Sequence, residues 1–211
     1  MPRRLTTVDI VLSSISFLEG YLATLEDFLE SESRKNSEMI EQLGDTSEED
    51  IDYYGFLDDE GMRLSYEYPR LLRYSFLVTC HSYLEERLHY FCDYLRKEKE
   101  LPLSVSDVKG ANALERAKKY IKKLAKVEIQ NDSWAEILNI GNIRRCIVHS
   151  EGRINTSNKK KDRNIQNYID NRSDISRDSD DTIILTKEYC QHVLDEIREL
   201  FKALYSEDMM I

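Results

Sequence analysis

The stretch LVTCHSYLEERLHYFCDYL, residues 77–95, carries an apolar side chain at every third or fourth position. Side chains at these steps share one face of an α-helix, so the stretch predicts a long helix with one buried face. That face consists of Leu77, Cys80, Leu84, Leu88, Phe91 and Leu95. Because Leu72, Phe76 and Tyr83 widen it, we expect this helix, over residues 69–100, to be central in the fold.

Similar helical stripes occur in residues 7–32, in residues 111–127, after Asn131 and after Thr186. The composition also favours helix over sheet, since 33% of the residues are charged and there are only 3 Pro and 7 Gly. We therefore predict an all-α fold. It is a single domain over residues 1–211, built as a bundle of four to five helices with antiparallel neighbours.

Several stretches interrupt this pattern. Residues 37–43 predict a short separate helix, and the acidic residues 45–61 predict a solvated insertion or, alternatively, a flap over a basic groove. Residues 155–181 are polar and predict a mobile insertion. A short β-hairpin before the last helix is also expected, with residues 181–185 pairing with the chain around Ile175.

The net charge is −10, which argues against a general nucleic-acid coat protein but not against a local basic groove. The four cysteines form no C-x2-C pair, so we expect reduced thiols in a cytoplasm. The N-terminus does not resemble a signal peptide, and no unbroken apolar run approaches the ~20 residues that span a bilayer. A cytoplasmic protein with no membrane partner is the expectation.

The stretch NIRRCIVHSEG, residues 142–152, concentrates the polar residues that could carry chemistry. Asn142, Arg145 and His149 lie at helical spacings of three and four, so they share a face. Arg144 lies about 140° from His149 around the helix, and its long side chain can still reach towards the imidazole. The core side is expected to be Ile143, Ile147 and Val148, and Gly152 to end the helix.

Two interpretations of this stretch remain open. It is either a half-buried helix with solvated polar residues, or a site for a phosphodiester. Arginine binds phosphate through its rigid fork of donors, and histidine can act as a general acid or base near neutral pH. Cys146 and His149 have the spacing of two metal ligands, but no further ligand set accompanies them, so we predict no metal and no cofactor.

The pattern R-x4-H, from Arg144 to His149, resembles the signature of the HEPN superfamily. The flanking residues 137–143 and 150–152, together with residues 82–88 and 183–189, also resemble helices of that family, so the likeness covers about residues 68–206. The resemblance implies a small helical domain that cleaves RNA as a homodimer without metal. It also implies bacterial host defence or a toxin–antitoxin pair, with a cognate antitoxin or other partner protein.

By the same resemblance, Arg144 holds the scissile phosphate and His149 transfers protons around the 2′-hydroxyl, while Asn142 and Arg145 assist. The family usually has asparagine, aspartate or histidine where this chain has Arg145, so the alternative is a non-catalytic module that dimerises and binds RNA or a protein. One toxin subgroup has tyrosine two residues after the histidine. Glu151 stands there in this chain.

Lysines on either side of the motif are candidates for RNA backbone contact, or are simply solvated. They are Lys119, Lys122 and Lys123 before it and Lys159, Lys160 and Lys161 after it. On the central helix His81 and Glu85 are four residues apart. They either support the site from across the bundle or make an ordinary surface hydrogen bond.

Overall fold

The computed structural model describes residues 7–43, 51–128, 131–154 and 159–208, and these are mostly helical. The helices are α1 (Thr7–Leu43), α2 (Ile51–Met62), α3 (Tyr68–Glu98), α4 (Ala113–Lys119), α5 (Asn131–Ser150), α6 (Lys159–Asp170) and α7 (Lys187–Asp208). The strands β1 (Ile175–Arg177) and β2 (Ile183–Leu185) pair antiparallel. The long helices α1, α3, α5 and α7 pack together, which confirms the predicted all-α bundle and its hairpin before the last helix.

Helix α3 is the centre of the bundle, as its apolar face predicts, and it contacts α1, α4, α5, α7 and β2. Every residue of the predicted face is buried, and Phe76, His81 and Cys92 are buried with them. Pro69 lies in the first turn of α3, as predicted. The helix thereby supplies a wall to most of the hydrophobic core.

Helix α1 is continuous over Thr7–Leu43, so the predicted separate helix at residues 37–43 is wrong. No glycine or proline lies between residues 32 and 43 to stop the helix. Asn36 is buried there, and its side-chain amide donates to the carbonyl oxygen of Leu57 at 2.9 Å. The polar stretch after residue 32, where the first predicted helix ends, is therefore kept helical by packing against α2.

The acidic segment is only partly the solvated insertion that the sequence predicts. Residues 51–61 belong to α2, and residues 44–50 lie outside the described part of the chain. Leu57 is buried against α1, and Leu64 in the following π-helical turn, Arg63–Glu67, is buried as well. Single buried leucines thus hold this acidic segment on the bundle.

The polar segment, predicted as a mobile insertion, forms regular secondary structure where it is described. It contains α6 and β1, with Ile165, Ile169 and Ile175 buried in the core. Residues 155–158 lie outside the described part. The high hydrophilicity of this segment conceals the helix, because Ile165 and Ile169, four residues apart, are enough to give it one buried face.

A carboxylate on α5 fastens this segment to the bundle. Glu136 accepts hydrogen bonds from Tyr168 at 2.5 Å and Arg172 at 3.0 Å, and its Oε1 lies 2.7 Å from His192 Nε2. Burial raises the pKa of Glu136, but the hydrogen bonds of His192 and Tyr168 outweigh it, so the pKa is lowered overall. The ionised carboxylate therefore joins α5, α6 and α7.

The hairpin is attached to the end of α5. Gly152 has a φ of +82° and its N–H donates to the carbonyl of Cys146 at 3.2 Å, which is a left-handed helix end. The N–H of Ile183 then donates to Gly152 at 3.0 Å. The Tyr74 hydroxyl donates to the Ile183 carbonyl, so α3 and β2 both fix the end of α5.

The helix predicted over residues 111–127 is shorter and less regular than expected. It begins at α4, where the Asn112 side chain caps the N–H of Glu115 at 2.8 Å, and it continues as a π-helical turn over Tyr120–Leu124. The turn buries Tyr120 and Ile121 together. Residues 125–127, predicted as the end of this helix, lie beyond the turn.

One described helix, Val8–Gln42 within α1, is long and apolar enough to cross a membrane by length and composition. In this structure α1 packs on α3 and α7 with Val11 and Ile15 in the core, and 17% of the apolar window is buried. Its Glu26 pairs with Arg73 on α3 at 2.8 Å.

Candidate functional site

A cavity of about 360 Å³ opens between α3, the start of α4 and α5. Its lining consists of His81, Glu85, Ala111, Asn112, Leu114, Leu138, Gly141, Asn142, Arg144, Arg145 and His149. The two arginines face a single acidic residue, Glu85, although the whole chain is acidic. The residues predicted on α5 therefore come together around one concave and locally basic site.

The buried and exposed residues of α5 are those that the helical spacing predicts, except at one position. Ile143 and Ile147 are buried in the core, as predicted. Val148 was expected beside them but is 45% exposed. At 100° per residue it lies past the edge of the buried face, next to the exposed His149.

The two arginines have different surroundings. Arg145 donates to the side-chain oxygen of Asn142 at 2.5 Å, so the i,i+3 pair is formed and Asn142 orients that guanidinium. The Nε atom of Arg144 is buried and has no hydrogen-bond partner in the described part of the chain. Arg144, which lines the cavity, thus has a donor at Nε that no described group accepts from.

The opposite wall is formed by His81 and Glu85 on α3. His81 is 5% exposed, and its Nδ1 lies 3.8 Å from Glu85 Oε1, which is too long for a hydrogen bond. Burial lowers the pKa of His81, and the positive charge of Arg144 lowers it further, to about 4. This imidazole is therefore neutral at physiological pH, and it lies within electrostatic reach of Arg144.

Gly141 allows α5 to approach His81 closely. A Cβ atom at this position would lie 3.2 Å from His81 Nε2 and 3.3 Å from Leu114 Cδ1. In the sequence Gly141 is only a glycine inside a helical pattern. Such a glycine indicates close packing but does not show which residue packs against it. Neither Gly141 nor Asn112 is recognisable as a cavity residue from the sequence, because the other walls come from distant segments.

Lys119, Lys122 and Lys123 lie outside the lining of this cavity. Lys119 pairs with Glu115 at 2.9 Å and donates to the carbonyl of Lys109 at 3.2 Å. Lys122 and Lys123 are exposed on the π-helical turn. Lys159, Lys160 and Lys161 begin α6, but their side chains are outside the described set.

Within residues 7–43, 51–128, 131–154 and 159–208, no group of three or more His, Cys, Asp or Glu could hold a metal ion. The Cys146 thiol donates to the carbonyl of Arg153 at 3.4 Å. Burial raises the pKa of the Cys80 and Cys92 thiols to about 12, so both stay protonated. The arrangement at the cavity offers arginine, histidine, amide and carboxylate groups.

Comparisons with protein-family models, with curated proteins and with solved structures found no match to this chain.

Proposed function

We propose that this protein is a metal-independent endoribonuclease, as its resemblance to HEPN domains implies. The observation that supports the proposal is the shared cavity of Asn142, Arg144, Arg145 and His149 in a chain of net charge −10. Two guanidinium groups in a concave site attract a phosphate, and an exposed imidazole beside them can exchange protons with it. The setting is cytoplasmic, in bacterial host defence or a toxin–antitoxin pair with a cognate antitoxin.

The proposed reaction is attack of a ribose 2′-hydroxyl on the adjacent phosphate. The 2′-oxygen loses its proton and bonds to phosphorus, the bond from phosphorus to the 5′-oxygen breaks, and that oxygen gains a proton. Arg144 stabilises the charge on the phosphate, and His149 takes part in proton transfer. The products are a 2′,3′-cyclic phosphate and a 5′-hydroxyl end.

The predicted lysines are proposed to contact the RNA backbone away from the scissile bond. Lys122 and Lys123 are exposed on one side, Lys119 is beside them, and Lys159–Lys161 follow the motif in sequence. Backbone contacts of this kind weaken as salt increases, because bound counterions are released. RNA affinity is therefore expected to fall steeply between low and moderate salt.

Cleavage of single-stranded RNA is expected to survive EDTA. Arginine and histidine supply the charge stabilisation and the proton transfer, and neither requires a divalent ion. The measurement is gel analysis of RNA fragments and their end groups in EDTA, with a matched reaction in magnesium. Complete loss in EDTA and rescue by magnesium or manganese would contradict the proposed mechanism.

We also propose that the protein is a homodimer. Two copies of the motif across a two-fold axis give a deeper basic cleft than one copy. Light scattering at micromolar concentration is expected to give about twice the chain mass of 24.9 kDa. A monomer that still cleaves RNA would contradict this prediction.

The alternative is a non-catalytic helical module that dimerises and binds RNA or a partner protein. One observation favours it: Ile10, Phe17, Tyr21 and Phe28 are spaced by seven and four along α1, and all are exposed. Phe17 is 77% exposed, and a second copy of the same uncharged face would cover it without burying a charge. A dimer through α1 needs no phosphate chemistry.

Phe17→Glu separates the two dimer arrangements. If α1 forms the contact, the buried carboxylates repel each other and the mass falls to that of one chain. If the motif helices form the contact, the dimer is retained. Ser16→Glu, an exposed substitution on the neighbouring side of the same helix, is the control and is expected to leave the mass unchanged.

A further inference from the structure

The mechanism above leaves one wall of the cavity without a role. His81 is almost fully buried, lines the cavity opposite the arginines, and has an Nδ1 atom with no hydrogen-bond partner among the described residues. An unpaired buried polar group lowers the stability of a fold, and native proteins rarely retain one. Such a cost in a cavity is typical of a group that is completed by a ligand.

The surroundings of His81 define the chemistry of that ligand group. Burial and the charge of Arg144 keep the imidazole neutral, so it adds nothing to the attraction of a phosphate. Its natural partner is an uncharged polar group. A hydroxyl fits best, since it can donate to or accept from the ring nitrogen in either tautomer.

We propose that His81 is a positioning residue that binds the ribose 2′-hydroxyl of the nucleotide whose phosphate lies on Arg144. This inference rests on the proposed ribonuclease function. The cavity volume of about 360 Å³ lies in the range of small-molecule sites, so it admits a single nucleotide unit. His81 and Arg144 then hold the attacking hydroxyl and the phosphate, respectively, from opposite walls.

Glu85 and Gly141 are the two residues that surround His81 at the inferred hydroxyl site. Glu85 Oε1 is 3.8 Å from His81 Nδ1, so a hydroxyl beside the imidazole also lies near a carboxylate that can accept its proton. Gly141 leaves room for the ring against α5. The inferred hydroxyl site is thus built from α3 and α5 of one chain.

The test is a comparison of RNA and DNA affinity in a protein that does not cleave. In a His149→Ala background, dissociation constants are measured for one single-stranded sequence made with ribose and with 2′-deoxyribose. We expect a preference for the ribose form, and His81→Leu is expected to reduce that preference by about 3- to 10-fold, the contribution of one hydrogen bond. Affinity for the deoxyribose form is expected to change less than about twofold, an effect too small to reflect a lost hydrogen bond.

Two further variants separate a ligand contact from a structural role. His81→Gln keeps a neutral donor and acceptor, and is expected to retain part of the ribose preference. His89→Leu on the same helix removes an exposed histidine that pairs with Asp93 at 3.5 Å, and is expected to leave the preference intact. A preference that falls equally in both leucine variants would overturn the inference.

Thermal melting separates a ligand-binding histidine from a structural one, because replacing a structural histidine would lower the melting temperature. His81→Leu removes an unpaired buried nitrogen, so the melting temperature is expected to stay equal or rise by about 2 to 4 °C. If this variant does not fold, Gly141→Ala decides instead, because it displaces the His81 ring and must reduce the ribose preference at least about twofold.

The failures of the two proposals are distinguishable. If the wild type cleaves RNA but a folded His81→Leu keeps the full ribose preference, only the role of His81 is overturned. If the wild type neither cleaves nor binds RNA, the proposed function fails and this inference fails with it.

Discussion

His149→Ala is expected to abolish RNA cleavage and to leave RNA affinity nearly unchanged. In the proposed reaction the histidine acts in the transition state, where a general acid or base contributes roughly 10²- to 10⁴-fold. Its side chain is exposed, so the substitution leaves no cavity in the core. The measurements are single-turnover cleavage, RNA affinity and thermal melting. A folded His149→Ala protein as active as the wild type would leave the non-catalytic module as the better hypothesis.

The two arginines provide the matched comparison for that experiment. Arg144→Ala is expected to damage cleavage as strongly and also to weaken RNA binding by about tenfold or more, since the proposed mechanism has Arg144 contact the phosphate in both the ground state and the transition state. Arg145 is oriented by Asn142, and Arg145→Ala is expected to have a mild effect. The reverse order would mean that Arg145 and His149, at i,i+4, form the functional pair.

Gly152→Ala is expected to destabilise the protein by roughly 2 to 4 kcal/mol, and to lower the melting temperature by about 5 to 15 °C. The φ of +82° is unfavourable for any residue with a Cβ atom. A Cβ atom would also collide with the Tyr74 hydroxyl and would lie 2.8 Å from Tyr74 Cζ. Tyr74 cannot easily move away, because it donates to Ile183.

Gly20→Ala is the matched control for this substitution. Gly20 lies within α1, and a Cβ atom there would meet nothing within 4 Å. Alanine is favoured over glycine inside a helix, so stability is expected to rise by about 1 kcal/mol. The free energy of unfolding of both variants is measured by denaturant titration. Equal changes in this free energy would show that α5, α3 and β2 are not tightly packed at Gly152.

The local sequence pattern was sufficient to predict the main helices and the hairpin. Each of them is set by the spacing of its apolar residues and by the residues that begin or end it. The face from Leu77 to Leu95 is buried as predicted, Thr186 caps the N–H of Tyr189 at 3.3 Å, and Gly152 ends α5. The hairpin lies at the predicted place as well, with Ile175 opposite Leu185. Each of these features depends on residues a few positions apart in the sequence.

Predictions failed where polar composition concealed a few buried residues. The continuation of α1 past residue 36 depends on Asn36 meeting Leu57, and α6 depends on Glu136 as well as on its isoleucines. Val148 was placed in the core by its apolar character, whereas at 100° per residue it lies past the edge of the buried face and is exposed. Composition describes a segment, but burial depends on what packs against it.

The sequence by itself therefore determined the helical bundle and the grouping of Asn142, Arg145 and His149 on one helix, because the helical repeat relates near neighbours. Only the tertiary structure decided that Arg144 faces His81 and that Gly141 and Asn112 complete the same cavity. Those walls are up to about 60 residues apart along the chain. Their meeting depends on how α3, α4 and α5 pack, which no local repeat encodes.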